Sequence, residues 1–122
     1  MTFEGELQFE LDEAKGDLTR QLVKIGLKGL TGVVIKTPVD TGTAQNSWGV
    51  EIGDEPSDEA QTSGSPTTIE AAKIRQADLG DVIHIFNNVR YIRPLENGHS
   101  QQAPQGMVSV TLAELQSRFG GF

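Results

Sequence analysis

Two histidines, His84 and His99, are the side chains of this sequence that exchange a proton most readily near neutral pH. With Asp40 and either Ser47 or Ser100, they could be written as the base, orienting acid and nucleophile of a hydrolase. The G-x-S-x-G turn that presents a nucleophilic serine is absent, and such a set is defined by geometry that spacing does not supply. The sequence therefore disfavours hydrolysis.

The two histidines differ in their predicted surroundings. His84 alternates with Val82 and Phe86, so it is predicted to lie in a β-strand and to be structural. His99 follows the Asn-Gly pair at 97–98 in a predicted loop. There it is either a surface residue or an interface contact.

Paired carboxylates, which perform acid–base catalysis in many enzymes, occur in the segment 53–66, GDEPSDEAQTSGSP, at Asp54/Glu55 and Asp58/Glu59. Catalytic carboxylates need burial to separate their pKa values, and a polar segment provides little burial. The D-x-D-x-D-G spacing of a calcium loop is absent as well. We predict a mobile acidic loop that becomes ordered against a partner.

Other chemical signatures are missing. The sequence has no cysteine, which excludes disulfides, cysteine-ligated zinc and thiol catalysis, and it has no P-loop or H-E-x-x-H pattern. Two arginines beside an aromatic residue, Arg90 and Arg93, are too few for a nucleic-acid surface. We therefore predict no enzyme, no metal and no cofactor, and a protein that works by binding other proteins.

The length and charge of the chain narrow the classes of partner. A chain of 122 residues suits one domain, 1–122, which includes the acidic loop. Its net charge of −7 disfavours tight binding to phosphate backbones or to an anionic membrane, since both require an excess of Lys and Arg. No apolar run reaches the roughly 20 residues that span a bilayer, and the first residues are acidic where a signal peptide is basic. A soluble cytoplasmic protein is expected.

The first element is predicted to be a long amphipathic helix over residues 12–36, with Asp12 as its N-cap. Its apolar face has residues every three or four positions: Leu11, Ala14, Leu18, Leu22, Ile25, Gly29 and Val33. Glycines at 16, 26, 29 and 32 leave two interpretations open. Either the helix frays or ends near residues 26–32, or the missing side chains allow another element to approach closely.

The helix is predicted to end at TPVDTG, residues 37–42. Pro38 lacks an amide proton and restricts the residue before it to extended geometry. Asp40 can form an Asx-turn, and Gly42 can adopt a positive φ. Because apolar and polar residues alternate over 48–52, this segment is predicted to join the helix to a strand.

The remaining pattern completes an α+β prediction: a long N-terminal helix, an antiparallel sheet, a short helix and a C-terminal helix. The short helix is predicted at 68–77, after Pro66. The strand at 82–87, VIHIFN, is apolar on both sides, which predicts a central position in the sheet. The last helix is predicted to begin at Met107 and to end at Gly120.

Two motifs and a proline loop carry a resemblance to a known family. T-P-V-D-T-G-T-A-Q-N-S at 37–47 is followed some 40 residues later by N-V-R-Y-I-R-P-L-E-N-G at 88–98, and then by A-P at 103–104 before the final helix. In order and spacing, the chain resembles the tail-completion, or tail-terminator, proteins of long-tailed phages. The matching positions include Pro38, Asp40, Gly42 and Ser47, then Asn88, Tyr91, Glu96 and Gly98, then Pro104.

The resemblance implies a structural virion protein of the phage neck without catalysis. Such proteins form rings, typically hexamers, which complete the head-proximal end of the tail and face the head connector. The expected partners are further copies of the chain, the tail tube protein and the head connector or stopper protein. DNA is expected to pass through the lumen without specific binding, and no membrane is involved. The expected location is the virion, after assembly in the host cytoplasm.

The motif residues are expected to be structural. For Tyr91 and Glu96, an interface role and packing or hydrogen bonding within the fold remain equal alternatives. The candidate interface residues are Asp54, Glu55, Asp58, Glu59, Arg90, Arg93 and His99. The alternative function is a soluble acidic protein-binding module, similar to an inhibitor that mimics phosphate, with no role in a virion.

Overall fold

A computed structural model describes residues 3–39, 43–53, 66–90, 92–98 and 105–120. Its elements are α1 (Phe3–Lys36), a 3₁₀ turn (Gln45–Ser47), β1 (Gly49–Ile52), α2 (Pro66–Ile74), β2 (Ile83–Phe86), α3 (Ile92–Glu96) and α4 (Val108–Phe119). The two strands pair antiparallel. The predicted α+β class, with its long first helix and C-terminal helix, is confirmed.

Helix α1 begins earlier than predicted. It starts at Phe3 and ends at Lys36, so the predicted end is right and the predicted start at residue 12 is wrong. Asp12 lies inside the helix, where its carboxylate accepts a hydrogen bond from the Gln8 side chain at 2.9 Å. Residues 3–11 are mostly good helix formers, and their acids suit the positive end of the helix dipole, so the helix continues through the predicted cap.

Three glycines of α1 lie where neighbouring elements approach the helix. A Cβ on Gly32 would lie 2.7 Å from Thr111 Cγ2 of α4, and one on Gly26 would lie 2.9 Å from an isoleucine of α2. Gly29 faces an isoleucine of β2 at 3.4 Å from such a Cβ. At Gly16 the nearest atom is the end of an arginine side chain, 3.5 Å away. Close approach, and not helix fraying, therefore explains the glycines at 26–32.

The sheet covers one side of α1. Val50 is paired with Ile85 and Ile52 with Ile83, so these four apolar side chains share the face that meets the helix. Strand β2 pairs only with β1 among the described residues, so the predicted central position is wrong there. The second face of β2 carries His84 and Phe86, and the Phe86 ring borders a groove beside α3.

The buried core involves only the later part of α1. The residues of the core cluster are Leu30, Val33, Val34, Trp48, Val50, Ala71, Ile74 and Met107. Among the α1 residues whose burial the structure describes, the first buried one is Gly26. Leu11 and Leu18, which belong to the predicted apolar face, are 47% and 56% exposed. The predicted face is therefore exposed over residues 11–18, half-buried at Leu22 and Ile25, and buried from Gly29 on.

The remaining boundaries differ slightly from the predictions. Helix α2 begins at Pro66, two residues before the predicted start, so the proline lies in its first turn, and it ends at Ile74, three residues early. Helix α3 was not predicted, because five residues with a proline among them give too short a pattern. Helix α4 ends at Phe119 and is capped by Gly120, whose φ is 65° and whose N–H donates to Gln116 O at 2.8 Å.

Candidate functional site

The first motif forms a buried joint between α1 and β1. Trp48 Nε1 donates a hydrogen bond to Thr37 Oγ1 at 2.8 Å, and the Thr37 hydroxyl donates to Val33 O at 2.6 Å. Trp48 and Thr37 are both buried. The threonine hydroxyl thus satisfies an indole N–H that would otherwise be buried without a partner. This contact holds the start of the strand against the end of the helix.

Two predicted motif residues, Pro38 and Ser47, lie within this joint. Pro38 is buried directly after α1, and the buried Ser47 donates its hydroxyl to Thr43 O at 2.6 Å. The side chain of Gln45 donates to a carbonyl of α1 at 3.2 Å. Asp40 and Gly42 lie outside the described residues, so their turn roles stay predictions.

Asn87, the residue directly before the second motif, connects this part of the chain to the first motif. Its Nδ2 donates to Ala44 O at 2.8 Å across a sequence separation of 43 residues, and its Oδ1 accepts from Val89 N at 3.1 Å. Asn88, the predicted motif residue, is half-buried beside it. The sequence did not identify Asn87, because an asparagine at the end of a predicted strand gives no sign of its distant partner. The two motifs therefore meet at the end of β2.

The second motif ends in a carboxylate that caps a different helix. Glu96 Oε2 accepts from Met107 N at 2.8 Å and Val108 N at 2.9 Å. Its Oε1 accepts from both the N–H and the hydroxyl of Ser109 at 2.9 Å. N–H groups at a helix start have no partner within the helix, and the helix dipole favours an anion there. Glu96 thus binds α3 to α4, and the hydrogen-bonding role left open for it is the one observed.

The donors around Glu96 lower its pKa. Burial alone would raise the pKa by disfavouring the charged form, but the hydrogen bonds from Val108, Ser109 and Met107 outweigh burial. The pKa in the folded protein therefore lies below the ordinary value of 4.5. It follows that Glu96 stabilises the fold above about that pH, and that this stabilisation is lost as the pH falls through the folded pKa.

Two glycines shape the approach of Glu96 to α4. Gly98, a predicted motif residue, has φ +85°, and Gly106 has φ +84°. A Cβ on Gly106 would meet the backbone oxygen of Glu96 and would lie 2.8 Å from its carboxyl carbon. Gly106 was not predicted as a site residue, and its signal is a glycine immediately before the apolar pattern of α4. Pro104 lies outside the described residues.

We expect Glu96→Gln to lower the free energy of unfolding by about 1–2 kcal/mol at pH 7. The amide oxygen of glutamine is a weaker acceptor than a carboxylate oxygen, and the amide NH₂ group would face the N–H donors at the start of α4. Below pH 4.5 the carboxyl group of Glu96 binds a proton more readily in the unfolded state than in the native state. The difference in free energy of unfolding between wild type and variant should therefore shrink as the pH falls toward about 3. Urea unfolding followed by the fluorescence of the single tryptophan measures both values.

Glu114→Gln is the matched control for this prediction, since it makes the same chemical change on α4. Glu114 is exposed and pairs with Lys36 at 2.9 Å, so its loss should cost under about 0.5 kcal/mol. A Glu96→Gln deficit that stays the same at pH 7 and at pH 3 would contradict the assigned role of the carboxylate charge.

The predicted interface residues fall partly within the described chain. Arg90 and Arg93 are exposed, and Arg93 borders a groove of about 260 Å³ between the end of β2, α3 and the start of α4. The others lie outside the described residues, as does Tyr91: Asp54, Glu55, Asp58, Glu59 and His99. Their interface roles stay predictions.

The hypothetical hydrolase set is not brought together in the described part of the chain. His84 lies opposite Glu51 across the sheet, whereas the Ser47 hydroxyl donates to a backbone carbonyl within the joint. Among the described residues, no group of three or more His, Asp and Glu side chains is placed to hold a metal. The helices of that same part are too short or too polar to cross a bilayer.

Two of the uncovered apolar surfaces in the described structure involve α1 and α4. One is a cavity of about 150 Å³ between α1, β2 and α4, next to Val108 and Leu112, which are each 46% exposed. The other is the face of α1 that carries Leu11 and Leu18. Exposed apolar surface of this kind is typical of protein–protein contacts.

Comparisons of the chain with protein-family models, with curated proteins and with solved structures found no match. What points to function is therefore the geometry of the described residues. Two motif segments and the start of α4 are packed into one framework, and apolar surface is left uncovered on α1 and α4.

Proposed function

We propose that this chain is a structural subunit of the neck of a long-tailed phage. It forms a ring at the head-proximal end of the tail, completes the tail and joins it to the head connector. One observation carries the proposal. Residues 3–25 of the 34-residue helix α1 contain no buried side chain among those described, although they include exposed leucines.

The exposed part of α1 has an energetic cost for an isolated subunit. Helices gain most of their stability from packing an apolar face, and helical segments without such packing are marginal in water. Covering a leucine contributes roughly 1.5–3 kcal/mol, and Leu11 and Leu18 are about half exposed. A second protein surface against this face would recover that energy. A subunit of an assembly is therefore a better explanation than a monomer.

The matched motif residues support a structural role. The Ser47 hydroxyl and both carboxylate oxygens of Glu96 are used in hydrogen bonds within the chain. Groups committed in this way have little capacity left to act on a substrate. The motifs thus hold a framework, and function is carried by surfaces. The net charge of −7 suits a lumen that DNA passes without adhering, and it suits a polar outer rim equally well.

The particle mass of the full chain tests the proposal. Light scattering is measured on the chain alone and mixed with purified tail tubes and head connectors from the phage whose genome encodes it. We expect a particle of several copies of the 13.2 kDa chain, six for the typical family ring, and electron micrographs that show it at tube ends. A 13.2 kDa species that binds neither component in any mixture would overturn the proposal.

The same experiment separates the acidic binding module from the ring. The segment on which the module depends, 54–65, lies outside the described residues. A one-to-one complex with a basic protein, weakened by salt, would favour the module. Assembly with further copies of the chain would favour the ring.

A further inference from the structure

The amino-terminal half of α1 presents an apolar stripe. Leu11, Ala14 and Leu18 lie at helical spacing and are exposed. The same stripe continues to Gly29, where β2 and α4 cover it with side-chain atoms 3.4 and 3.6 Å from the position of a Cβ. The chain thus covers one end of a continuous apolar face and leaves the other end open.

A groove lies on the carboxy-terminal half of the same helix. It has a volume of about 380 Å³, and the half-buried Val23 and Leu27, which pack against the core, form its apolar base. Arg20, Lys24 and Lys28 stand at its rim and are exposed. The groove therefore combines an apolar base with positive charge.

The charges of α1 separate along its length. Residues 3–17 contain the acids Glu4, Glu6, Glu10, Asp12, Glu13 and Asp17, with Lys15 as the single base. Residues 18–36 contain the bases Arg20, Lys24, Lys28 and Lys36, and no acid. The helix dipole favours acids at the start and bases at the end, but its effect is confined to about one turn. The acids here extend over about four turns, so the dipole does not account for them.

We infer that the amino-terminal half of α1 in one copy packs into the basic groove on α1 of a neighbouring copy. The inference deepens the proposed function and rests on it, because this contact would join adjacent subunits of the ring. The exposed leucines of the stripe meet Val23 and Leu27, and the acids beside the stripe meet Lys24 and Lys28. Neither Lys24 nor Lys28 forms an ion pair with another described residue.

The placement of the two surfaces determines the symmetry of the contact. At 100° per residue, the stripe at 11–18 and the groove at 20–31 lie about 140° apart around the helix axis. Two copies related by a two-fold axis cannot satisfy both surfaces of both helices at once. Each copy therefore offers its stripe to one neighbour and its groove to another, which is the heterologous contact that builds rings.

Charge reversal tests the contact. Glu10 and Asp17 lie four and three residues from Ala14, so they flank the stripe on one side. The donor variant is Glu10→Lys/Asp17→Lys, the acceptor variant is Lys24→Glu/Lys28→Glu, and the fourfold variant combines them and keeps the wild-type net charge. Light scattering over a concentration series gives the concentration at which half of each protein is assembled, with and without tail tubes. All four positions are exposed, and circular dichroism checks that each variant folds.

We expect either double variant to raise that concentration by roughly tenfold or more, because like charges then face each other, and the fourfold variant to return close to wild type. Arg75→Glu, a charge reversal at an exposed residue in the turn directly after α2, is the control and should change little. Double variants that assemble like a ring-forming wild type would overturn the α1 contact and leave the proposed function standing. A wild type that stays monomeric in every mixture would overturn both, and a particle of only two copies would exclude the heterologous contact.

Discussion

Replacing Gly106 with alanine is expected to lower the free energy of unfolding by about 3 kcal/mol. A φ of +84° costs a residue with a Cβ roughly 1–2 kcal/mol. The new Cβ would also meet the backbone and carboxyl group of Glu96, so the carboxylate would have to leave the start of α4, and loss of such a cap costs about 0.5–2 kcal/mol. Urea unfolding of the two proteins measures the difference.

Gly53→Ala separates the two causes. Gly53 has φ +85°, nearly the same as Gly106, but no atom lies within 4 Å of the position of its Cβ. Its replacement should cost only the backbone part, about 1–2 kcal/mol. In Glu96→Ala protein, Gly106→Ala should cost less than in wild type, because the cap is already gone. Equal losses for Gly53→Ala and Gly106→Ala would contradict the role given to the Glu96 contact.

Local signals predicted the parts of the fold that local chemistry controls. Pro38 ends α1 because it removes a donor, and the helix indeed ends at Lys36. Alternation at 48–52 predicted β1, and Gly120 ended α4 as expected. These features depend on residues within one or two turns of each other. A sequence pattern is therefore sufficient for them.

Contacts between distant segments were not accessible in the same way. Glu96 reaches the N–H groups of a helix that starts after a loop, and Asn87 reaches a carbonyl 43 residues earlier. The sequence shows an acid and an amide at these positions but not their partners. The start of α1 was missed for a different reason: Asp12 is a good cap, yet nothing before it breaks the helix.

In the candidate site too, the sequence identified individual residues but not their contacts or burial. Pro38, Ser47, Asn88, Glu96 and Gly98 were identified from motif spacing, and the structure places them in or beside the framework contacts. What the pattern lacked was the extent of burial. An apolar stripe predicts a covered face, and only the structure shows that the stripe is exposed over residues 11–18. That open surface is what points to assembly.

The approach of α4 to α1 should make Gly32 the most size-sensitive position of the first helix. Gly32→Leu places a Cβ 2.7 Å from Thr111 Cγ2 and a further branch behind it, so α4 must move away. Overpacking of this kind costs up to about 3 kcal/mol, and cavities opened elsewhere add to it. The gain in helix propensity, about 1 kcal/mol, offsets part of the loss. We expect a net loss of about 2–3 kcal/mol in urea unfolding.

Gly16→Leu is the matched control, because it makes the same substitution in the same helix where only an arginine end lies near, 3.5 Å from the new Cβ. That variant should gain about 0.5–1 kcal/mol from propensity alone. All variants are compared at one protein concentration, since assembly adds to apparent stability. Thr111→Ser removes the methyl nearest to Gly32, so it should recover part of the stability of a Gly32→Ala protein. If Gly32→Leu and Gly16→Leu shift stability in the same direction, close packing of α1 against α4 does not explain the glycine at 32.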